Sequence, residues 1–251
     1  MQTYDGSRVT FQVLIGVLVS TGRAAVEIIL ICAIAGMIIG LVARSGLSFG
    51  LGFFLVQLGQ SSLILLLIVT ALVCIVMGMG LPTVGVYLLL ASLAAPPLVE
   101  LGLQPMAAHM FVLYFGMLSM LTPPVAIAAF VAANMAKAPT MATAVEAVRI
   151  AWPAYLIPFF FAASPALLFY GSGGIIAVTV AKSLVGVYAI TGGIVGFMGR
   201  NLPVPERIVV ISVGLAILCP LEAFSSAAWL NGIGLSVLLG FFGLQKMRRT
   251  G

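Results

Sequence analysis

The stretch Gly78-Met79-Gly80-Leu81-Pro82-Thr83 (GMGLPT) interrupts an uncharged apolar region in which a helix would otherwise continue. Glycine permits dihedrals that other residues avoid, and proline lacks a backbone N–H, so both disfavour an uninterrupted helix. The sequence therefore predicts a helical hairpin over residues 62–100, broken at this tip. Thr83 is expected to cap the second arm, because a threonine hydroxyl can accept from the first N–H groups of a helix.

The composition places this break in a membrane. Of the 251 residues, 63% are hydrophobic and 7% are charged, with a mean hydropathy of +1.27. Soluble domains carry roughly 25% charged residues. Several apolar runs approach the roughly 20 residues that a helix needs to cross a bilayer. We therefore predict an all-α polytopic membrane protein.

A second interruption lies within the apolar stretch 106–135, where the residues Leu121-Thr122-Pro123-Pro124-Val125 divide a predicted helix. Non-helical backbone at membrane depth persists only inside protein or along a wet cavity. A broken helix frees carbonyl groups that suit a cation such as sodium, and its new N-terminus attracts an anion. Two breaks, each with a threonine, favour a transport site over the alternative that the prolines only kink packed helices.

Other apolar runs complete the predicted organisation. Residues 1–23 form an N-terminal cytoplasmic segment, residues 24–171 one unit with both breaks, and residues 172–251 additional C-terminal helices with a basic tail. The glycine-rich stretch after the first span is expected at the membrane interface. Spans are expected at about 24–42, 150–170, 174–198, 208–221 and 223–244.

The charges predict the orientation. If the hairpin returns to its own side, all but two of the 11 Lys and Arg residues share one side, the exceptions being Arg44 and Lys182. Short loops rich in Lys and Arg stay in the cytoplasm, so both termini are expected there. Two full crossings in place of the hairpin would give the same orientation, and the charges leave that alternative open. The residues on the cytoplasmic side are Arg8, Arg23, Lys137, Arg149, Arg200, Arg207, Lys246, Arg248 and Arg249.

The residues around both breaks also carry a family resemblance. Residues 77–105 (MGMGLPTVGVYLLLASLAAPPLVELGLQP) and 115–136 (FGMLSMLTPPVAIAAFVAANMA) resemble the second half of the large membrane subunit of tripartite ATP-independent periplasmic (TRAP) transporters. The resemblance covers about residues 23–168. The form of the GMGLPT loop and the extra spans after Tyr170 are most similar to the fused permeases of the TAXI branch.

This resemblance implies one repeat of an elevator-type, inverted-repeat secondary transporter in the bacterial inner membrane. It implies a symporter permease that receives its substrate from a periplasmic binding protein. The expected substrate is an organic acid, in particular a carboxylate, and the coupling ion is sodium, with the proton as the alternative. The family's cation and substrate sites correspond here to Gly78, Met79, Gly80, Leu81, Pro82, Thr83, Leu121, Thr122, Pro123, Pro124 and Val125.

The sequence also departs from the family pattern. It contains one hairpin and one broken helix, whereas the family combines two inverted repeats with a small scaffold subunit. We therefore expect the first repeat and the scaffold to come from other chains. The alternative is a truncated or degenerate fragment, or a structural subunit, that does not transport.

The remaining polar residues suggest neither an enzyme nor a cofactor site. With a single histidine, the sequence lacks the nucleophile or metal set of a membrane hydrolase. We expect a packing or interfacial role for His109, an ion pair between Glu27 and Arg23, and a bond across helices for Asn134. Lys182 is expected to reach the interface or a helix end, although a charge inside the membrane is also a functional candidate. The basic tail is expected to contact membrane lipid, and no nucleic-acid partner is expected.

Overall fold

The computed structural model describes residues 10–219 and 227–250. In these ranges the chain is helical apart from its connections and an isolated β-bridge between Phe197 and Asn201, which confirms the all-α prediction for the described residues. The helices are α1 (Phe11–Arg44), α2 (Leu47–Ser61), α3 (Leu63–Gly78), α4 (Thr83–Leu93), α5 (Ala95–Glu100), α6 (Pro105–Leu118), α7 (Ile127–Ala136), α8 (Thr140–Ile150), α9 (Trp152–Ala163), a 3-10 helix (Pro165–Leu168), α10 (Gly173–Val195), α11 (Val204–Leu218) and α12 (Ala227–Thr250).

Both predicted interruptions are present as breaks in helix. Residues 79–82 separate α3 from α4 and are called the first break, and residues 119–126 separate α6 from α7 and are called the second break. The four flanking helices contain 16, 11, 14 and 10 residues. Each is shorter than the roughly 20 residues required to cross a bilayer alone.

The first helix is longer than the sequence suggested. Thr10 precedes α1, which begins at Phe11 rather than near Ala24. The span predicted at about 24–42 lies within α1, and the helix extends further because nothing in the intervening residues breaks it strongly: Arg23 is a good helix former, and each of the two glycines there costs only about 1 kcal/mol. The stretch expected at the membrane interface forms the 15-residue helix α2.

Helix α6 lies at the centre of the first unit. Helices α3, α4, α5 and α9 all pack against it. Phe111 on α6 is fully buried, and its ring lies 4.9 Å from that of Phe115 and 5.4 Å from that of Phe159 on α9. Aromatic pairs at such distances add to the stability gained from burial alone. The core therefore fixes α9 against the half of α6 that leads into the second break.

The C-terminal helices pack through glycine. A Cβ placed on Gly214 of α11 would lie 2.9 Å from the carbonyl oxygen of Gly186 on α10. Small residues allow such close approach of helix backbones, which is how membrane helices associate without a hydrophobic driving force. At the end of α10, the guanidinium of Arg207 donates to the carbonyls of Gly193 and Ile194, which the helix leaves without internal donors.

Among the described residues, α10 alone is long and apolar enough to cross a membrane by itself. Helices α8 and α9 meet the same criteria only as a pair, with a bend of 41° between them. Exposed apolar side chains are nevertheless frequent on other helices, including Leu18 and Leu41 on α1 and Leu72 and Val76 on α3. Such surfaces fit contact with lipid or with other membrane helices better than contact with water.

Candidate functional site

At the first break, Gly80 adopts the backbone conformation for which the sequence predicts glycine. Gly80 has a φ of +82°, in the left-handed region that glycine enters without strain. The turn is closed by two long backbone bonds, from the N–H of Met79 to the carbonyl of Val76 at 3.3 Å and from the N–H of Leu81 to that of Gly78 at 3.4 Å. Such lengths lie beyond the usual N–H···O range, so the first break is weakly hydrogen-bonded.

The capping role expected for Thr83 is wrong. Pro82 occupies the N-cap of α4, with φ −71° and ψ 154°, and Thr83 is the first helical residue. The proline ring fixes a φ that suits the position just before the helix, and this moves the helix start by one residue. The Thr83 hydroxyl is directed instead toward the sulfur of Met120, at 4.0 Å, across to the second break.

The second break is held by short hydrogen bonds. The hydroxyl of Thr122 donates to the carbonyl of Leu118 at 2.7 Å, and the N–H of Ala126 donates to the carbonyl of Thr122 at 3.2 Å. Ala126 has a φ of +31°, and the peptide bond between Pro123 and Pro124 is cis. Ala126 is the N-cap of α7, and its left-handed backbone ends the second break.

The two breaks meet through a glycine contact. Gly78 is buried at the end of α3, and a Cβ built on it would lie 2.8 Å from the carbonyl oxygen of Gly116 and 2.7 Å from the hydroxyl oxygen of Ser119. Ser119 is itself buried and donates to Gly116 at 2.6 Å. The need for glycine at position 78 is therefore one of space rather than of dihedral angle. The backbone of the first break lies directly beside the start of the second.

Each break leaves carbonyl groups without a hydrogen-bond donor from the described residues. Two groups of carbonyls share this property, the first on the GMGLPT turn and the second around the two prolines. They belong to Met79, Gly80 and Leu81, and to Ser119, Leu121, Pro123, Pro124 and Val125. All of them except Ser119 were among the site residues expected from the sequence.

Sequence reasoning missed Ser119 and Met120, which contact residues flanking the first break, and Tyr155 on α9, which contacts the second break. Its phenolic oxygen lies 2.7 Å from the hydroxyl oxygen of Thr122. Tyr155 stands in an aromatic and apolar helix and is separated from Thr122 by 33 positions, so no local pattern connects the two. Only an α9 register fixed by packing on α6 could have indicated the contact.

The other candidate residues lie elsewhere. His109 forms a 3.1 Å hydrogen bond with the hydroxyl of Tyr87, which agrees with the packing role predicted for it. Asn134 is exposed on α7, and the bond across helices predicted for it is not found among the described residues. The side chain of Glu27 is not among those described, so the predicted pair with Arg23 stays a prediction.

Lys182 lies buried in the C-terminal helices, away from both breaks. Its ammonium donates to the carbonyl of Cys219 at 2.7 Å, immediately after α11 ends, and lies 3.5 Å from the amide oxygen of Asn231. The amide nitrogen of Asn231 donates to the same carbonyl at 3.1 Å. A cation at a helix C-terminus meets the negative end of the helix dipole. Of the two roles expected for Lys182, the helix end is the one observed.

Comparison with known protein families identifies the chain. Residues 2–173 match the family described as "Tripartite ATP-independent periplasmic transporter, DctM component". The chain belongs to this family. The match spans both breaks and ends at the first residue of α10, so α10 to α12 lie beyond the DctM region. No curated protein and no solved structure matches the chain.

Family membership defines the general role. DctM proteins are permease components of TRAP transporters, so this chain is a polytopic membrane transporter component and not an enzyme. Membership in a tripartite periplasmic system also implies a periplasmic binding protein as partner. The family resemblance drawn from the sequence is thereby confirmed at the level of the DctM component.

Proposed function

We propose that this DctM component takes up an organic acid, in particular a carboxylate, together with a cation at the meeting point of its two broken helices. Sodium is the proposed coupling ion, and the proton is the alternative. The observation that supports this most directly is the contact of Gly78 with Gly116 and Ser119, which joins the two breaks.

The cation is assigned to the carbonyl groups at the breaks. Three carbonyls of the first break and five of the second accept no hydrogen bond from the described residues. An unsatisfied backbone group in hydrocarbon costs several kcal/mol, so these groups need water, a cation or a protein partner. Unwound backbone carbonyls of this kind coordinate sodium in other broken-helix transporters.

The carboxylate is assigned to the helix starts that the breaks create. Helices α4 and α7 both begin at a break, and the positive end of each helix dipole attracts an anion. Thr83 is the first residue of α4, and its hydroxyl, now directed toward the Met120 sulfur at 4.0 Å, would turn to donate to the anion there. Binding both charges together lowers the cost of taking either across lipid, and each ligand raises the affinity for the other reciprocally.

The finer assignments extend the same proposal. The chain would be one repeat of an elevator-type transporter, most similar to the TAXI branch, with the hairpin entering from the periplasm and both termini in the cytoplasm. A first-repeat portion and a scaffold portion would complete the site in the bacterial inner membrane. The charge distribution and the resemblance around both breaks support these assignments.

The function can be tested in proteoliposomes that contain this chain, the remaining membrane portions of its transporter and the periplasmic binding protein. Uptake of a labelled carboxylate is measured with the sodium and pH gradients imposed separately. We expect uptake to require one of the two gradients. Uptake that persists without either gradient would refute cation coupling, and absence of uptake under every condition would favour a non-transporting subunit.

Threonine variants test the location of the site. Thr83→Val and Thr122→Val should each raise the half-saturating substrate or cation concentration about threefold to tenfold, as expected when one hydrogen bond of ordinary strength is lost. Thr143→Val is the matched control, because the Thr143 hydroxyl donates to the carbonyl four residues earlier, as that of Thr122 does, but on α8. Equal effects of all three variants would argue against a site at the breaks.

A further inference from the structure

The contact between Tyr155 and Thr122 is a hydrogen bond between two hydroxyl groups, and its direction is assigned from the other partner of Thr122. Thr122 has one hydroxyl proton, and that proton is donated to the carbonyl of Leu118 at 2.7 Å. Because this assignment uses the single Thr122 proton, we assign the phenol of Tyr155 as donor and Thr122 as acceptor in the 2.7 Å bond between the two hydroxyl oxygens. Removal of the phenolic hydroxyl would leave the hydrogen bond from Thr122 to the Leu118 carbonyl in place. It would remove the second hydrogen bond that holds the Thr122 oxygen.

Tyr155 is rigidly held. It lies one helical turn before Phe159, whose ring contacts those of Phe111 at 5.4 Å and Phe115 at 5.6 Å on α6. Residues four apart lie on the same face of a helix, so the aromatic contacts and the hydroxyl contact share one side of α9. Helix α9 thus carries a fixed donor to the edge of the second break.

The contact closes the end of α6. The Leu118 carbonyl accepts from the Thr122 hydroxyl and also from the N–H groups of Leu121 and Thr122, each at 3.0 Å. Thr122 oxygen therefore lies between this crowded carbonyl on one side and Tyr155 on the other. With its oxygen held from two sides, the Thr122 side chain has little rotational freedom. This also restrains the peptide group between Leu121 and Thr122, which contains the Leu121 carbonyl.

We propose that Tyr155 is a positioning residue for the cation site at the second break. It acts through Thr122, by fixing the hydroxyl oxygen and the backbone next to it, and it does not contact the cation. This inference rests on the proposed function, because it assumes that a cation binds at the second break. It assigns a role in transport to α9, a helix outside both breaks.

The test is Tyr155→Phe in the complete transporter, which keeps the ring but removes the donor. The half-saturating concentration of the driving cation, sodium or proton, should rise about threefold to tenfold while the maximal uptake rate changes less than twofold. The matched control is Tyr114→Phe, because the Tyr114 ring also packs between α6 and α9, edge-on to Phe161 at 5.5 Å. The control should retain the cation dependence of the wild type.

A double variant separates positioning from packing. The combination of Tyr155→Phe and Thr122→Val should have no larger effect on half-saturation than Thr122→Val alone, because the donor has no acceptor left. Thr122→Ser, which keeps a hydroxyl, should stay near the wild type. Independent, multiplying effects of the two substitutions would overturn the inference.

A spectroscopic measurement covers the case in which Tyr155→Phe does not fold. Replacing Tyr155 with 3-fluorotyrosine keeps both ring and hydroxyl, and its ¹⁹F resonance should shift when the driving cation is added, but not in the Thr122→Val background. A ¹⁹F chemical shift that does not change when the cation is added would refute the role of Tyr155. If wild-type uptake requires no cation gradient, the proposed function fails together with this inference. If wild-type uptake requires the gradient and Tyr155→Phe leaves the half-saturating cation concentration unchanged, only this inference fails.

Discussion

Replacement of Gly78 by alanine tests the contact that joins the two breaks. The added Cβ would lie 2.7 Å from the Ser119 hydroxyl oxygen, 2.8 Å from the Gly116 carbonyl oxygen and 3.1 Å from the Ser119 Cβ. Two of these distances are shorter than real Cβ contacts allow. The Gly116 oxygen belongs to the backbone and cannot rotate away, so α3 and α6 must separate.

The magnitude follows from two opposing terms. Overpacking by one methyl group costs about 1–3 kcal/mol in a packed interior. Alanine gains up to about 1 kcal/mol over glycine in a helix interior, and less at the last residue of a helix such as α3. The net result is a loss of about 1–2 kcal/mol. Because the shift separates the breaks, the cation should also bind more weakly.

The matched control is Gly36→Ala on α1. A Cβ on Gly36 meets no atom within 4 Å, so only the helix-propensity gain remains. The thermal midpoints of the purified protein in detergent should therefore move in opposite directions, down for Gly78→Ala and up or unchanged for Gly36→Ala. Adding Ser119→Ala to Gly78→Ala removes one of the two oxygen contacts and should restore part of the loss.

Equal or greater stability of Gly78→Ala relative to Gly36→Ala would refute the contact between α3 and α6. Normal stability combined with lost uptake would instead retain the contact and point to a direct effect on the first break. The cation dependence of uptake, measured on the same two variants, distinguishes these results.

Two further predictions concern Gly80 and Lys182. Gly80→Val should abolish cation-dependent uptake while membrane insertion stays intact. The backbone φ at position 80 is +82°, and a residue other than glycine in this left-handed conformation loses about 1–2 kcal/mol, a β-branched residue more. Gly80→Asn should retain more uptake, since asparagine tolerates this region, and equal uptake by both variants would contradict the reasoning. Lys182→Met should lower the thermal midpoint, because the Cys219 carbonyl loses its 2.7 Å donor and keeps the 3.1 Å donation from Asn231, a net loss of about 0.5–1.5 kcal/mol. An unchanged midpoint would show that this bond does not stabilise the C-terminal helices.

The breaks were predictable because their cause is local. Glycine at position 80 and proline at positions 82, 123 and 124 disfavour a helix whatever surrounds them. The hydropathy pattern likewise gave the all-α class. Helix boundaries were less predictable. At the start of α1 neighbouring propensities differ by only about a few tenths of a kcal/mol, and at α4 the φ that Pro82 fixes placed Thr83 inside the helix.

The tertiary contacts of the site could not be read from the sequence. The sequence predicts dihedral freedom as the role of Gly78, whereas its observed role is to leave room for Gly116 and Ser119. Tyr155 gave no signal, because its partner Thr122 lies on another helix and a tyrosine among aromatic residues normally indicates packing. Such contacts depend on the register in which helices pack, and that register is determined by the whole core rather than by a motif.

The two breaks differ in what determines their shape. Backbone bonds of 3.3 and 3.4 Å close the first, so its conformation depends on the dihedral of Gly80 and on the space at Gly78. Hydroxyl bonds of 2.7 Å hold the second, from Thr122 to Leu118 and from Tyr155 to Thr122. Added side-chain volume should therefore perturb the first break and loss of a hydroxyl the second. A cation shared between them would respond to both kinds of change, whereas a cation bound at one break alone would respond to only one.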